Sequence, residues 1–250
     1  MTSDQQYCEN IRRETSLFAN WPPDAPRKIG DFGRVQGAMF QFMGSLEPEE
    51  IEALGSRESA SRSNYDIMIK SSRSMGAGIS GGAKVAKVAK GKAVLQLKFD
   101  SAEGVMLAAP SVRITEIASL EVLGRTLRER MAEGNWDPLY AVVVQISVAD
   151  RATVILSSQS GASMNFEVDA DAPVNAELVA DLNVGVSQLS SQGVGINIVG
   201  QGPITPLFKL AFLQRRILGG SKIAYRDAIA PGAQDVDVYD INEEHVLVLV

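Results

Sequence analysis

In four separate stretches between Val144 and Ile198, apolar residues recur at every second position. Val144, Ile146 and Val148 alternate with Gln145, Ser147 and Ala149. Met164, Phe166 and Val168 alternate with Ser163, Asn165, Glu167 and Asp169. Leu182, Val184 and Val186 alternate with Asn183, Gly185 and Ser187, and Val194, Ile196 and Ile198 with Gly195 and Asn197. Upstream, Leu95, Leu97 and Phe99 repeat the pattern. A period of two marks β-strands, because successive side chains leave opposite faces. Strands that are apolar on one face and small-polar on the other belong to antiparallel sheets; strands of a parallel sheet read as continuous apolar runs. The pattern predicts an α+β fold, a twisted antiparallel sheet with peripheral helices.

The rest of the chain fits around that sheet. Cys8, Ile11, Thr15 and Phe18 share one face of a helix predicted over 9–20, and Trp21-Pro22-Pro23 ends it. The Gly-punctuated stretch from Ile29 to Gly44 reads as a strand pair. Pro48–Leu54 reads as a short helix with Pro and Glu in its first turn, and 55–64 as loop. Tyr65, Ile67 and Ile69 suggest a strand, and Ser71–Gly82 is Ser- and Gly-rich. Ile117, Leu120, Leu123, Leu127 and Met131 form a helical stripe that Gly134 stops. Phe208–Leu218 reads as a further short helix, with terminal strands at Val236–Val238 and Val246–Val250.

Charge is distributed unevenly. The net charge of -6 belongs to residues 227–250, which hold six acids and no Lys or Arg; residues 1–226 hold 24 acids against 24 basic residues. This divides the chain into a body, 1–226, and an acidic tail, 227–250. Within the body, Ile67–Phe99 has no acid and seven basic residues: Lys70, Arg73, Lys84, Lys87, Lys90, Lys92 and Lys98. Leu182–Arg226 has no acid across 45 residues. Such stretches suit a polyanionic partner. No aromatic residue lies between Ser71 and Gln96, so the stacking platform of a nucleic-acid site is missing there. An anionic membrane, worth ~1 kcal/mol for each nearby lysine, fits better.

Catalytic motifs are present only in fragments. Gly76, Gly78 and Gly81 match G-x-G-x-x-G, but the polar Ser71-Ser72-Arg73-Ser74 before them is no buried strand for a dinucleotide site. Gly78, Ser80 and Gly82 match G-x-S-x-G, and the single histidine, His245, follows later, which leaves a serine hydrolase using Ser80 and His245 as an alternative. Asp31-Phe32-Gly33 lacks the context of a kinase metal triplet. One cysteine excludes an internal disulfide framework, and one histidine excludes most zinc sites, so no metal is expected. The start, MTSDQQYCEN, lacks the basic and apolar regions of a secretory signal, which gives a reduced, cytoplasmic expectation.

No run approaches the ~18 apolar residues of a membrane-spanning helix. A closed β-barrel needs only tilted strands of ~9–11 residues, apolar outward and polar inward. Soluble chains can store such strands in their own sheet until many copies close a ring, which satisfies every backbone hydrogen bond. The stretches 67–99 and 140–200 suit this use.

Here the chain resembles the gasdermins, most of all their compact bacterial members. The N-terminal amphipathic helix with its cysteine comes first, then the basic Ser71–Lys92 stretch leading to a strand, then the Ile117–Met131 helix followed by Leu139-Tyr140-Ala141-Val142-Val143. Gly220-Ser221-Lys222-Ile223-Ala224-Tyr225-Arg226 is similar to the family's Gly-Ser-x-Leu-Ala-Phe/Tyr-Arg segment. The resemblance implies a gasdermin-like pore-forming domain and no enzyme. An activating protease would cut near Arg226, Asp227, Pro231 or Gln234 and release an autoinhibitory tail that includes Val246, Leu247, Val248 and Leu249. The body would then self-oligomerise, with two hairpins per subunit, in an anionic cell membrane and cause cell death, which in the family suggests antiphage defence. It implies a palmitoyl group on Cys8 and no other cofactor. Membrane contacts are expected from Arg12, Arg13, Lys84, Lys87, Lys90, Lys92 and Lys98. A structural protein that assembles through edge strands is a third reading.

Overall fold

The computed structural model describes residues 3–76, 91–181, 187–215, 238–239 and 245–249. In chain order the elements are α1 (Ser3–Thr15), β1 (Phe18–Ala19), β2 (Asp31–Gln36), β3 (Met39–Ser45), α2 (Pro48–Leu54), β4 (Ser56–Glu58), β5 (Ser63–Ile69), β6 (Ser71–Gly76), β7 (Lys92–Phe99) and β8 (Val105–Ile117). They continue with α3 (Leu120–Ala132), β9 (Tyr140–Ser157), β10 (Ser163–Asp169), α4 (Ala176–Ala180), β11 (Ser187–Gln192), β12 (Val194–Arg215), β13 (Val238–Tyr239) and β14 (His245–Leu249). The fold is α+β with mostly antiparallel sheets, as the alternation predicts. It divides into two units: Met1–Ser61, Arg113–Val148 and Thr205–Val250 form unit 1, and Arg62–Val112 and Ala149–Ile204 form unit 2.

Unit 1 is organised on the strand order β13-β14-β12-β9-β2-β3. Ala141–Val144 of β9 and Phe208–Leu213 of β12 have apolar side chains packed on both faces, which explains why these runs do not alternate. On one face, Val142 and Val144 of β9 and Ala211 and Leu213 of β12 pack with Leu54 of α2 and Leu123 and Leu127 of α3. On the other, Ala141, Val143, Phe208 and Leu210 pack with Phe18. The helix expected at Phe208–Leu218 is therefore wrong over its described part: 208–215 belongs to β12. Apolar residues on both sides of a strand mimic a helical stripe, and periodicity alone does not separate the two. Phe208 stacks on Phe18 with ring centroids 5.8 Å apart, and its edge contact with Phe40 spans 5.6 Å.

The N-terminal helix also differs from expectation. It starts at Ser3 and ends at Thr15, before Ser16 at φ +59, so Phe18 lies in β1 and pairs with Phe208. The β2–β3 hairpin and α2 form where predicted. The Glu50 side chain accepts from the Glu47 backbone N–H at 2.8 Å and from Arg130 Nε at 2.6 Å, which ties α2 to α3. Those hydrogen bonds, Arg130's foremost, hold the Glu50 carboxyl below the ordinary carboxylate range. Ser119 caps α3 by accepting from Val122 N–H at 3.2 Å, and the helix starts three residues after Ile117, which ends β8. Residues 55–64, expected as loop, include β4 and the start of β5. The Ser-rich 71–76, too polar to be recognised, is β6.

Phe208→Ala removes a ring that is buried against two others, so it should destabilise the protein by about 3–5 kcal/mol in urea denaturation.

Candidate functional site

In unit 2 one four-stranded sheet is folded over on itself. The base layer has the order β5-β8-β9-β12, and the second sheet, here the flap, has the matching order β6-β7-β10-β11. Each flap strand continues a base strand. Lys70 alone separates β5 from β6, and Gly193 alone separates β11 from β12. Residues 100–104 join β7 to β8, and 158–162 join β9 to β10. Both single-residue corners have positive φ, +50 at Lys70 and +67 at Gly193.

The two layers share one core. Ala93, Leu95, Leu97 and Phe99 of β7 and Met164, Phe166 and Val168 of β10 meet Met106 and Ala108 of β8 and Ile155 of β9. Val179 and Ala180 of α4 join this core, and Thr153 Oγ1 donates to the Ala180 carbonyl at 3.0 Å. Because the sheet folds like a page, both inward surfaces belong to the same side of it. The other side of the flap is polar apart from the buried Val94. Gln96 Nε2 donates to Asn165 Oδ1 at 3.1 Å across the β7–β10 ladder, the Lys92 ammonium lies 2.6 Å from Asp169, and Lys98 is exposed. A clasp joins the layers: Arg73 of β6 donates two hydrogen bonds to the Asp66 carboxylate of β5, one of 2.9 Å.

The second feature is the terminal strand of unit 1. β14 pairs antiparallel with β12, with Leu213 opposite Leu247 and Ala211 opposite Leu249. Leu247 is fully buried among Leu123, Leu127, Val144 and Leu213, and Leu249 packs beside them. Val246 and Val248 take the alternate register positions, opposite Gln214 and Phe212. β14 thus covers the backbone edge that β12 would otherwise present, and an uncovered edge is a template for pairing with another chain.

Of the expected membrane and lipidation residues, Cys8, Arg12, Arg13, Lys92 and Lys98 lie among the described residues. Arg12 is a correction: it is buried, its guanidinium lies 4.2 Å from the Phe18 ring centroid, and it donates to the Ser16 carbonyl. A cation desolvated over an aromatic face is held inside by that face, and burial pulls the Arg12 pKa down. Arg13 is exposed and donates to Asn10 Oδ1 at 2.5 Å. Cys8 is buried, its thiol donates to the Ala19 carbonyl at 3.7 Å, and burial pushes its pKa up to about 12. Acylation of Cys8 would require α1 to lift. Lys84, Lys87 and Lys90, Ser80, and the cleavage residues Arg226, Asp227, Pro231 and Gln234 lie outside the described residues. His245, at the first position of β14, pairs in register with Arg215. Among the described residues no group of acids, cysteine and histidine could hold a metal, and no helix is long and apolar enough to cross a membrane. No protein-family model matches the chain, and no curated protein matches it.

Sequence reasoning did not find the corners. An isolated glycine inside a strand pattern is a recognised sign of a bend, and Gly193 carried it. Lys70 carried no such sign, since a lysine at positive φ has no sequence signature.

The burial of Cys8 yields a pH test. Its pKa rises from 9.0 in the free thiol to about 12, so above pH 9 the unfolded chain releases a proton that the folded chain keeps. Stability should fall between pH 9 and 12, by up to ~1.4 kcal/mol per pH unit. Urea titrations at pH 8, 9 and 10 check this, and Cys8→Ala should flatten the slope.

Proposed function

We propose that this chain is a gasdermin-like pore-forming protein, held inactive by its C-terminal strand and released by proteolysis. The observation that carries the reading is the folded sheet of unit 2. The flap turns Leu95, Leu97, Phe99, Met164 and Phe166 toward the base layer and carries Lys92, Gln96 and Lys98 beside Val94 on its other side, close to the two-faced character of a barrel wall. Ser63 to Gly76 forms a strand path interrupted only at Lys70, and Phe99 and Val105 are separated by one short loop. Opened flat, such a hairpin exceeds the ~9–11 residues that a tilted transmembrane strand needs.

The placement of β14 supports the restraint. A strand paired along β12 and anchored by Leu247 blocks edge-to-edge growth by occupying the edge. Charge supports it as well, since residues 227–250 carry the whole net charge of -6 and their loss leaves a neutral body. In this reading the chain has no catalytic role. Its partners are an activating protease, further copies of itself and an anionic membrane, and it moves from cytoplasm to cell membrane on activation. Killing the host cell in antiphage defence is the biological outcome that the resemblance suggests. Acylation of Cys8 would follow the departure of α1 and add a single chain, enough to assist membrane binding but not to anchor the protein alone.

Lys92 is partnered by Asp169, so the docking test uses Lys84, Lys87 and Lys90 of the basic stretch. Reversing these three to Glu should abolish sedimentation with anionic vesicles while the thermal transition stays unchanged. Unchanged sedimentation would remove the docking role.

The central test is dye release from anionic vesicles with the intact chain and with chain cut between Arg226 and Gln234. Leakage and ring-shaped assemblies are expected only after cutting. Leu247→Ala should give slow leakage without cutting, because it loosens the anchor of β14. Equal leakage before and after cutting would overturn the restraint, and a cut chain that stays monomeric beside the vesicles would overturn the pore.

A further inference from the structure

We propose that the flap of unit 2 opens as one piece about a single line, with Lys70 and Gly193 as its two pivots. This rests on the pore reading for its purpose but not for its test. The two ends of the line are built alike. At one end the Asp100 N–H donates to the Lys70 carbonyl at 2.9 Å; at the other the Ser158 N–H donates to the Gly193 carbonyl at 2.9 Å. In both cases the first residue of a five-residue loop holds the carbonyl of the single-residue corner opposite it. Each bent hairpin therefore has one sharp corner, one wider loop and one main-chain bond across the bend.

The middle of the line joins the two hairpins. Phe99 N–H donates to the Ala162 carbonyl at 2.8 Å, and Gly161 N–H to the Phe99 carbonyl at 2.9 Å. Ser157 N–H donates to the Gly104 carbonyl at 3.0 Å, and Ser157 Oγ donates to the Ser101 carbonyl at 2.6 Å. On the flap, β7 and β10 pair over seven registered positions, Lys92 to Lys98 with Asp169 to Ser163. One hairpin cannot swing out unless that ladder breaks or the other follows. Following requires only rotation at the two corners and the loops beside them.

The pivots differ in chemistry. Gly193 reaches φ +67 without steric cost, and a Cβ there would meet the Gln159 side chain at 2.4 Å. Lys70 holds φ +50 against its own Cβ, and its ammonium is paired with Glu103. Lys70 is thus a strained corner that extension would relieve, and the Lys70–Glu103 and Arg73–Asp66 ion pairs hold it shut.

Amide hydrogen exchange on the intact full chain, without lipid, tests this at Asp100 and Ser158. Lys70→Ala loses the Lys70–Glu103 pair and keeps the strain, whereas Lys70→Gly loses both, so exchange at both amides should be slower in Lys70→Gly than in Lys70→Ala. Lys70→Val, whose branched side chain tolerates positive φ least, should speed exchange at both by about 10-fold. Gly193→Val should do the same from the other end. Amides of α3 serve as the folding control, and the comparison of Lys70→Gly with Lys70→Ala tests the same claim at a shared loss of the ion pair. Acceleration confined to the substituted corner, or no response at either, overturns the single flap. Vesicle leakage after tail removal separates the two ideas. Coupled exchange with no leakage from cut wild-type chain would leave the flap standing and the pore reading refuted. Leakage with uncoupled exchange would do the reverse.

Discussion

The flap of unit 2 depends on one burial. Four strands present apolar side chains on one side, and that side is hidden by folding the sheet over so that Leu95, Leu97, Phe99, Met164 and Phe166 cover Met106, Ala108 and Ile155. The hydrophobic effect has no direction and is satisfied by any surface that excludes water. The same side chains could be covered by their own base layer or by the hydrocarbon of a bilayer with comparable gain. The proposed opening keeps the backbone ladders on each side of the bend and exchanges the corner bonds, the clasp and the core.

Unit 1 meets a different constraint. Its central strands, β9 and β12, are buried on both faces, by α2 and α3 on one and by the Phe18–Phe208 cluster on the other. The centre of that sheet is closed above and below, so β9 and β12 meet other strands through their edges. β14 occupies the edge of β12 and brings Leu247 into the helix-covered core. The restraint proposed for this chain is thus part of the core, which makes its removal a change in folding stability and in pairing capacity at once.

The sequence made much of this legible where one face is apolar and the other is not. β7 and β10 stood out by clean alternation, as did α3 by its stripe and α2 by its Pro and Glu start. Legibility failed where both faces are apolar, as at Phe208–Leu213, which imitates a helix. It failed again where neither is, as at Ser71–Gly76, a polar strand formed because β7 offers it a partner. Arg12 was misplaced because a cation reads as solvent-facing unless the ring that holds it, here Phe18, is known to lie above it. The charge division and the tail strand were visible in outline; the corners at Lys70 and Gly193 became visible only when the ladders on either side could be followed.

The pairing of Leu213 with Leu247 fixes the register of the final strand from within. In a ladder of period two, a slip of one residue would turn Leu247 away from the core and expose its neighbours' apolar partners. The alignment is therefore dictated by the anchor, whatever number of residues leads up to it. The five residues of β14 find their seat by their own pattern of side chains. Under the proposed restraint, the bond a protease cuts and the strand it releases are specified by different residues.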